Sequence, residues 1–301
     1  MAPEVLDRKL SQPARYWAVS TLFVVAVLGG APNPQTLQAT SAAFSNCTGA
    51  SPNDWEDDTA ALRACLENQE YVISDTLFIS RNDQLITSSM PWSAKIIAAD
   101  HFQNHRKMLR TVEPPPRDYV IDLITFDGRL HNRQGLETCA PGSGEGNLHL
   151  DGWRYTLRNS EILRAKCGAG LALLGSDYTI FNNYIAWSGS DQGPGSAPWA
   201  DGITVLTCPN GNISYNTIVD STDIAIAMGG GRGCQVHHNY IWQGGKTAFA
   251  GIVVGNFTAN GAGDHTDSSV HDNTIIGAVP DRLQLGLLVG PHPWTTFVPS
   301  P

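Results

Sequence analysis

The sequence carries little charge. Asp, Glu, Lys and Arg make up 16% of its 301 residues, and acidic groups (28) outnumber basic ones (19). A formal net charge of -9 argues against nucleic acid and anionic membrane surfaces as main partners. It also disfavours a polyanionic substrate unless a local basic cleft exists. No pair of cysteines has C-x-x-C spacing, so zinc-ribbon and thioredoxin-type readings have no support. G-x-S-x-G, the P-loop, the dinucleotide-binding fingerprint and H-E-x-x-H are missing as well. Helical periodicity is confined to one short stretch near residue 60.

What is there begins with an export pattern. Arg8, Lys9 and Arg15 precede an apolar run from Tyr16 to Leu28, with small and polar residues after it. The run falls short of the about 20 residues that a spanning helix needs. Residues 1–31 are expected to be a signal peptide or an uncleaved signal anchor, 32–50 a linker and 51–301 the folded domain. A membrane is a partner only if the anchor stays. The expected location is secreted or cell surface. Six cysteines fit an oxidising compartment, and sequence proximity favours the pairs 47–65, 139–167 and 208–234.

Asp57-Asp58-Thr59 followed by AALRACLE reads as a capped amphipathic helix over about 58–67. From residue 148 a repeat emerges: an apolar strand, a turn, a second strand ending in Asn, then a third aliphatic strand. LALLGS-DYTIFNN-YIAWS is one copy and ITVLTC-PNGNISYN-TIVDS the next. The equivalent asparagines are read as Asn159, Asn183, Asn216, Asn239 and Asn273, spaced 24, 33, 23 and 34 residues apart. Three short strands in a base period near 23, with no helix, predict one coil of a right-handed parallel β-helix. Asn suits a sharp turn because it tolerates the left-handed conformation, and stacked Asn side chains can bond along a ladder. Ile203, Val205, Ile224, Ile226 and Val253 are expected to face the interior. The helix at 58–67 would cover the open edge of the first coil. GLLVG (286–290) reads as the start of another coil with no capping element after it, as expected of either a fragment or a variant with missing coils.

DDTAALRACL followed by β-coils with N-x-I turns resembles the pectate lyase and polygalacturonase-like β-helix superfamily, over about residues 55–290. That superfamily hosts lyases, hydrolases, epimerases and tailspikes, so the resemblance speaks to fold more than to activity. A local match is sharper. Asp201-Gly202 lies 22 residues before Asp223. Polygalacturonases have an Asp-Gly on one coil and an Asp-Asp pair on the next at nearly this spacing. The resemblance implies inverting glycoside hydrolysis, in which one carboxylic acid protonates the leaving oxygen and another activates water. This sequence departs from the pattern. Thr222 stands where the first Asp of the pair is expected, Asp220 lies two residues upstream, and the family's Gly-His-Gly and Arg-x-Lys motifs are not recognisable. The alternative reading of Asp201 and Asp223 is turn capping.

Oversized copies place loops at 188–201 and 256–268, both expected to flank the first-strand sheet on the side of Asp201 and Asp223. Trp187 and Trp199 are candidate sugar-stacking rings or core covers. Asp264, His265 and Asp267 offer a polar cluster in the second loop, or a solvated one. Arg232 in GGGRG (229–233) and Lys246 are the candidate bases if the chemistry is β-elimination, which would bring in calcium; no other cofactor or metal is expected. His237 and His238 sit side by side in a strand, where alternation would turn them to opposite faces and prevent a two-His metal site. The expected substrate is a polysaccharide. The alternatives are a lyase or a non-catalytic surface-binding or structural β-helix.

Overall fold

A computed structural model describes residues 70–290, except 89, 104–105, 132–145, 191–198 and 257–262. These residues belong to one compact unit that begins at Ala43. The expected signal segment, linker and capping helix lie outside the described residues, as do Cys47, Cys65 and Cys139. Among the described residues no helix is long and apolar enough to cross a membrane.

The described chain is all-β and winds as a right-handed parallel β-helix. Each coil contributes one strand to each of three parallel sheets. The first sheet has eight strands, from Leu77–Ile79 to Leu283–Val289, the second seven, from Leu85–Thr87 to Ser269–His271, and the third eight, from Glu70–Ile73 to Thr274–Gly277. Successive coils pair in register, so identical positions stack about 4.8 Å apart. Three aliphatic columns result. Leu148, Leu171, Ile203, Ile226 and Ile252 stack in the first sheet. Leu157, Ile180, Ile213 and Val236 stack in the second, and Ile162, Ile185, Ile218 and Ile241 in the third. None of these side chains is more than 1% exposed, and each contributes roughly 1.5–3 kcal/mol by leaving water.

The first sheet breaks simple alternation. Ala225 and Ile226, adjacent in sequence, both belong to the interior core. At the same position a Cβ on Gly202 would fall 2.6 Å from Ile218, inside the coil. The strand therefore carries two successive inward residues, and the parity of what precedes them reverses. Ile224 and Val253, expected inside, instead join Ala227 and Ala250 in a second cluster on the opposite face. The same reversal turns Asp201 outward.

A second column inside the coil runs Tyr119, Tyr155 and Tyr178, with ring centroids 5.0 Å apart. Their buried hydroxyls donate to the carbonyls of Asp151, Leu174 and Thr207. At the next coil the stack changes to the Cys208–Cys234 disulfide. Gly211 makes this possible, because a Cβ there would lie 2.6 Å from the Cys208 sulfur. Cys167 is also disulfide-bonded.

The asparagine ladder closes the corner between the second and third sheets. Asn183 Nδ2 and its backbone N–H both donate to Asn216 Oδ1 at 3.0 Å. Asn216 donates in the same way to Asn239 Oδ1, and Asn239 to Asn273 Oδ1. Each Nδ2 also donates to a carbonyl of its neighbouring coil, Leu157, Ile180, Ile213 and Val236 in turn. Two details differ from the sequence reading. The rung before Asn183 is Ser160, whose backbone N–H donates to Asn183 Oδ1, and not Asn159. The left-handed residue is the one preceding each ladder Asn: Asn182, Tyr215, His238 and Asp272 have φ of 52–57°. Asn159 shares that conformation, which explains the slip of one position.

Asn216→Ala would leave the buried Asn183 amide, the Asn183 side chain, the Ile180 carbonyl and Asn239 Oδ1 each short of a partner. At roughly 1–3 kcal/mol per orphaned group, partly relieved by relaxation, the expected loss is about 3 kcal/mol or more. Urea unfolding of the variant checks this; a loss below about 1 kcal/mol would deny the ladder its stabilising role.

Candidate functional site

Because every first-sheet strand runs in the same direction, that sheet has two distinct edges. Chain arrives from the third sheet at a leading corner and leaves for the second sheet at a trailing corner. This separates the sequence candidates. Asp201, Asp220, Asp223, Lys246 and Trp199 lie at the leading corner, where the described ends of the 188–201 segment join. Arg232 and His265 lie at the trailing corner, one strand length away, where the described ends of the 256–268 segment join. The expectation that both segments flank the same side is corrected for these ends, which attach at opposite ends of the strands; residues 191–198 and 257–262 lie outside the described residues.

At the leading corner, Asp201 is the second residue of the strand Ala200–Val205 and faces outward beside Thr204. The Thr204 hydroxyl donates to Asp201 Oδ2 at 2.5 Å, and the Ile224 N–H to Oδ1 at 3.1 Å. Asp223 occupies the turn entering the next strand, Ile224–Met228, and is partly exposed. Burial, and then the neighbouring Asp223 charge, push the Asp201 carboxyl well above the usual carboxylate range. Burial raises Asp223 to about 6. Two adjacent acids thus resist ionising together. Thr222 accepts from the Ala200 N–H at 3.1 Å and pins the strand start.

Asp220 sits in the same turn but is directed at the following coil. Its Oδ1 accepts N–H bonds from Gly244, Gly245 and Lys246 at 2.8–3.3 Å. Lys246 reaches back across the corner, and its ammonium donates to the carbonyls of Trp187 and Gly189 at 2.8 and 2.5 Å. Trp199, 45% exposed, immediately precedes Ala200. At the trailing corner, Arg232 lies 3.7 Å from Asp264 and 3.4 Å from Asp267. His265 Nε2 contacts the Gly255 carbonyl at 3.0 Å.

The outward row through Thr204 extends the site along the stack. It runs Arg110, His149, Ala172, Thr204, Ala227 and Val253 on successive coils. The face is polar on its early coils and apolar on its later ones. His149 is largely buried, with Nδ1 lacking a partner. Burial, then the charges of Lys107 and Arg110, depress it to about 4, so it is neutral at pH 7. Sequence reasoning passed over His149, Arg110 and Lys107. The signal was in LHLDGW, where His149 is the outward residue between two inward leucines. A separate cleft of about 480 Å³ opens at the trailing corner of early coils, lined by Asn82, Pro114, Pro115, Arg117 and Trp153 among others.

No family model matches the chain, and no curated protein matches its sequence. Three solved structures are similar in shape. The Dettilon tailspike protein matches over 81% of this chain and 58% of its own, with a TM-score of 0.47 and 14% identity. The Streptococcus pneumoniae surface protein and adhesin PfbA matches over 80% and 87%, with a TM-score of 0.49 and 11% identity. The Azotobacter vinelandii mannuronan C-5 epimerase A-module matches over 79% and 95%, with a TM-score of 0.38 and 14% identity. The chain thus spans little more than half of the tailspike chain.

The raised acids set a pH dependence. An unfolded Asp deprotonates near pH 4, whereas folded Asp223 holds its proton up to about 6. In that window the folded chain binds more protons than the unfolded one, so this group's contribution to stability falls as pH rises. His149, whose folded value is depressed, acts in the opposite sense. Asp223→Asn removes the first effect together with the part of the Asp201 shift that comes from the Asp223 charge, and leaves the His149 effect in place. Its unfolding temperature is expected to gain on the unaltered protein as pH rises through that window. Thermal unfolding across a pH series reads this; a constant offset would mean that Asp223 titrates as an ordinary carboxyl.

Proposed function

We propose that the protein is an exported, carbohydrate-active β-helix that binds a polysaccharide along the outer face of its first sheet and cleaves it by inverting hydrolysis. One observation carries the reading. Two carboxyls at the same corner on successive coils, Asp201 and Asp223, are both held above the usual carboxylate range. Burial and mutual repulsion favour a pair that holds one proton, and Asp201, the more deeply placed, is assigned as the acid and Asp223 as the base. Asp201 delivers that proton to the glycosidic oxygen as the bond to the anomeric carbon breaks. Asp223 takes a proton from the water that attacks the opposite face of the same carbon. Trp199, beside Asp201, offers a ring for a sugar face.

Lys107 and Arg110 form the local basic patch that an acidic protein needs if its substrate carries carboxylates. In the outward row, His149 lies two coils from Thr204 and Arg110 three, about 10 and 14 Å along the stack. An acidic polysaccharide crossing the coils would place one sugar at the carboxyl pair and a charged neighbour at this patch. β-Elimination has weaker support, because the Lys246 ammonium is engaged by two carbonyls and Arg232 lies at the other corner. A specific observation favours a non-catalytic reading: both Asp201 oxygens are already bonded within the protein, as a turn-holding residue's would be. The Cys208–Cys234 disulfide supports export.

Neutral and acidic polysaccharides should be incubated with the full chain, measuring reducing ends and the ultraviolet absorbance of unsaturated sugars. Hydrolysis predicts reducing ends alone. Asp201→Asn and Asp223→Asn should each lower the rate by about 100-fold or more. Unsaturated products would replace the reading with the lyase. Undiminished turnover in Asp201→Asn would remove the carboxyl pair from the chemistry, and inactivity on every substrate would favour the binding role.

A further inference from the structure

At the corner between the second and third sheets, far along the stack, four polar side chains meet. His237 and His238 end one second-sheet strand; His271 and Asp272 hold the same two positions one coil on. Strand alternation would separate His237 from His238, and the sequence reading rests on that. The structure overturns it. His238 has a φ of 54°, which leaves the strand and swings its ring beside its neighbour. The two Nδ1 atoms are 2.8 Å apart. His271 Nδ1 lies 2.8 Å from Asp272 Oδ2, and His238 Nε2 lies 4.0 Å from the same oxygen.

We propose that His238, His271 and Asp272 form a binding site for a divalent transition-metal ion of the zinc class. One ligand atom from each can be chosen so that all lie within 4.8 Å of one another. Zinc bonds of about 2.0–2.2 Å require ligand atoms roughly 3–3.5 Å apart, a closure of at most about 1.3–1.8 Å for exposed side chains. Two imidazoles and one carboxylate suit zinc, nickel or copper, whereas calcium and magnesium demand mostly oxygen. The ring positions are already restricted. His271 stacks on His237 with centroids 5.0 Å apart and planes 6° apart, and His238 stacks on Tyr215 at 4.9 Å and 17°. His237 supplies an outer contact. When the shared proton sits on His238 Nδ1, the His238 Nε2 lone pair is free to face Asp272, the usual way a metal-ligating His is oriented. An ion here would tie two successive coils together at this turn.

Calorimetric titration of the full chain with ZnCl₂ tests the proposal. One saturable site is expected, with a rise in unfolding temperature that EDTA reverses and that CaCl₂ does not reproduce. Asn tolerates a positive φ, so His238→Asn and Asp272→Asn keep the turn geometry. Each should weaken zinc binding by at least about tenfold while leaving the unfolding temperature in EDTA near that of the unaltered protein. His271→Ala removes a ligand without touching the left-handed positions and should do the same. Unchanged affinity in these variants, equal calcium binding or no saturable zinc site would each overturn the proposal.

Discussion

Successive coils must share one register. Every interior side chain, every turn and every buried polar group in this fold depends on that constraint. A parallel pairing slipped by one residue would send Ile203 and Ile226 outward and bring Thr204 inside. It would also unmake the asparagine ladder, in which the Oδ1 atoms of Asn216, Asn239 and Asn273 each accept two hydrogens from the coil before. The apolar columns supply most of the favourable free energy, because they remove the most surface from water. The ladder supplies the penalty for error, because its donors and acceptors are buried and have no water to turn to. Packing thus makes the stack stable, and the ladder makes one register the stable one.

Register also explains where chemistry can sit. Interior positions are committed to aliphatic contact and cannot vary without cavities or clashes. Outward positions and corners are free to differ from coil to coil, since each touches only its own column. The first sheet uses this freedom unevenly, with Arg110, His149 and Thr204 on its early coils and Ala227 and Val253 on the later ones. Asp201 and Asp223 fall where the polar part meets the apolar part. Their raised pKa values follow from that place: an apolar flank removes water, and the shared register brings a second carboxyl within reach.

The coil period was legible because it is repeated. Asn183, Asn216 and Asn239 recur with the same aliphatic residues after them, and recurrence averages out local ambiguity. What failed was local. Asn159 was aligned with the ladder because Asn suits both the left-handed position and the rung, and sequence alone does not distinguish the two roles. Ile224 and Val253 were read as interior because period-2 alternation says nothing about a strand that places two successive residues inward. The glycines at 170, 202 and 251 carried that signal, since a Cβ at each would strike backbone and a core isoleucine. His149 was hidden for a different reason: a single polar residue between leucines is ordinary in a strand, and its significance appears only when Arg110 and Thr204 stack in its row. Loop placement failed on topology, because loops before and after a parallel strand belong to opposite edges.

The left-handed corner positions join these threads. A non-glycine residue pays about 1–2 kcal/mol to adopt that conformation. The corner requires it on successive coils, and Asn159, Asn182 and Asp272 are the inexpensive solutions. Tyr215 and His238 are not. A turn that any Asn would satisfy more cheaply instead carries a phenol and an imidazole, stacked on each other 4.9 Å apart. Ring stacking repays part of the cost, on the order of 0.5–1.5 kcal/mol for an aromatic pair. That repayment is mutual, so neither ring is favoured without the other. Two strained choices on adjacent coils that make sense only together direct attention to what the pair positions, and what it positions is a His238 ring facing Asp272.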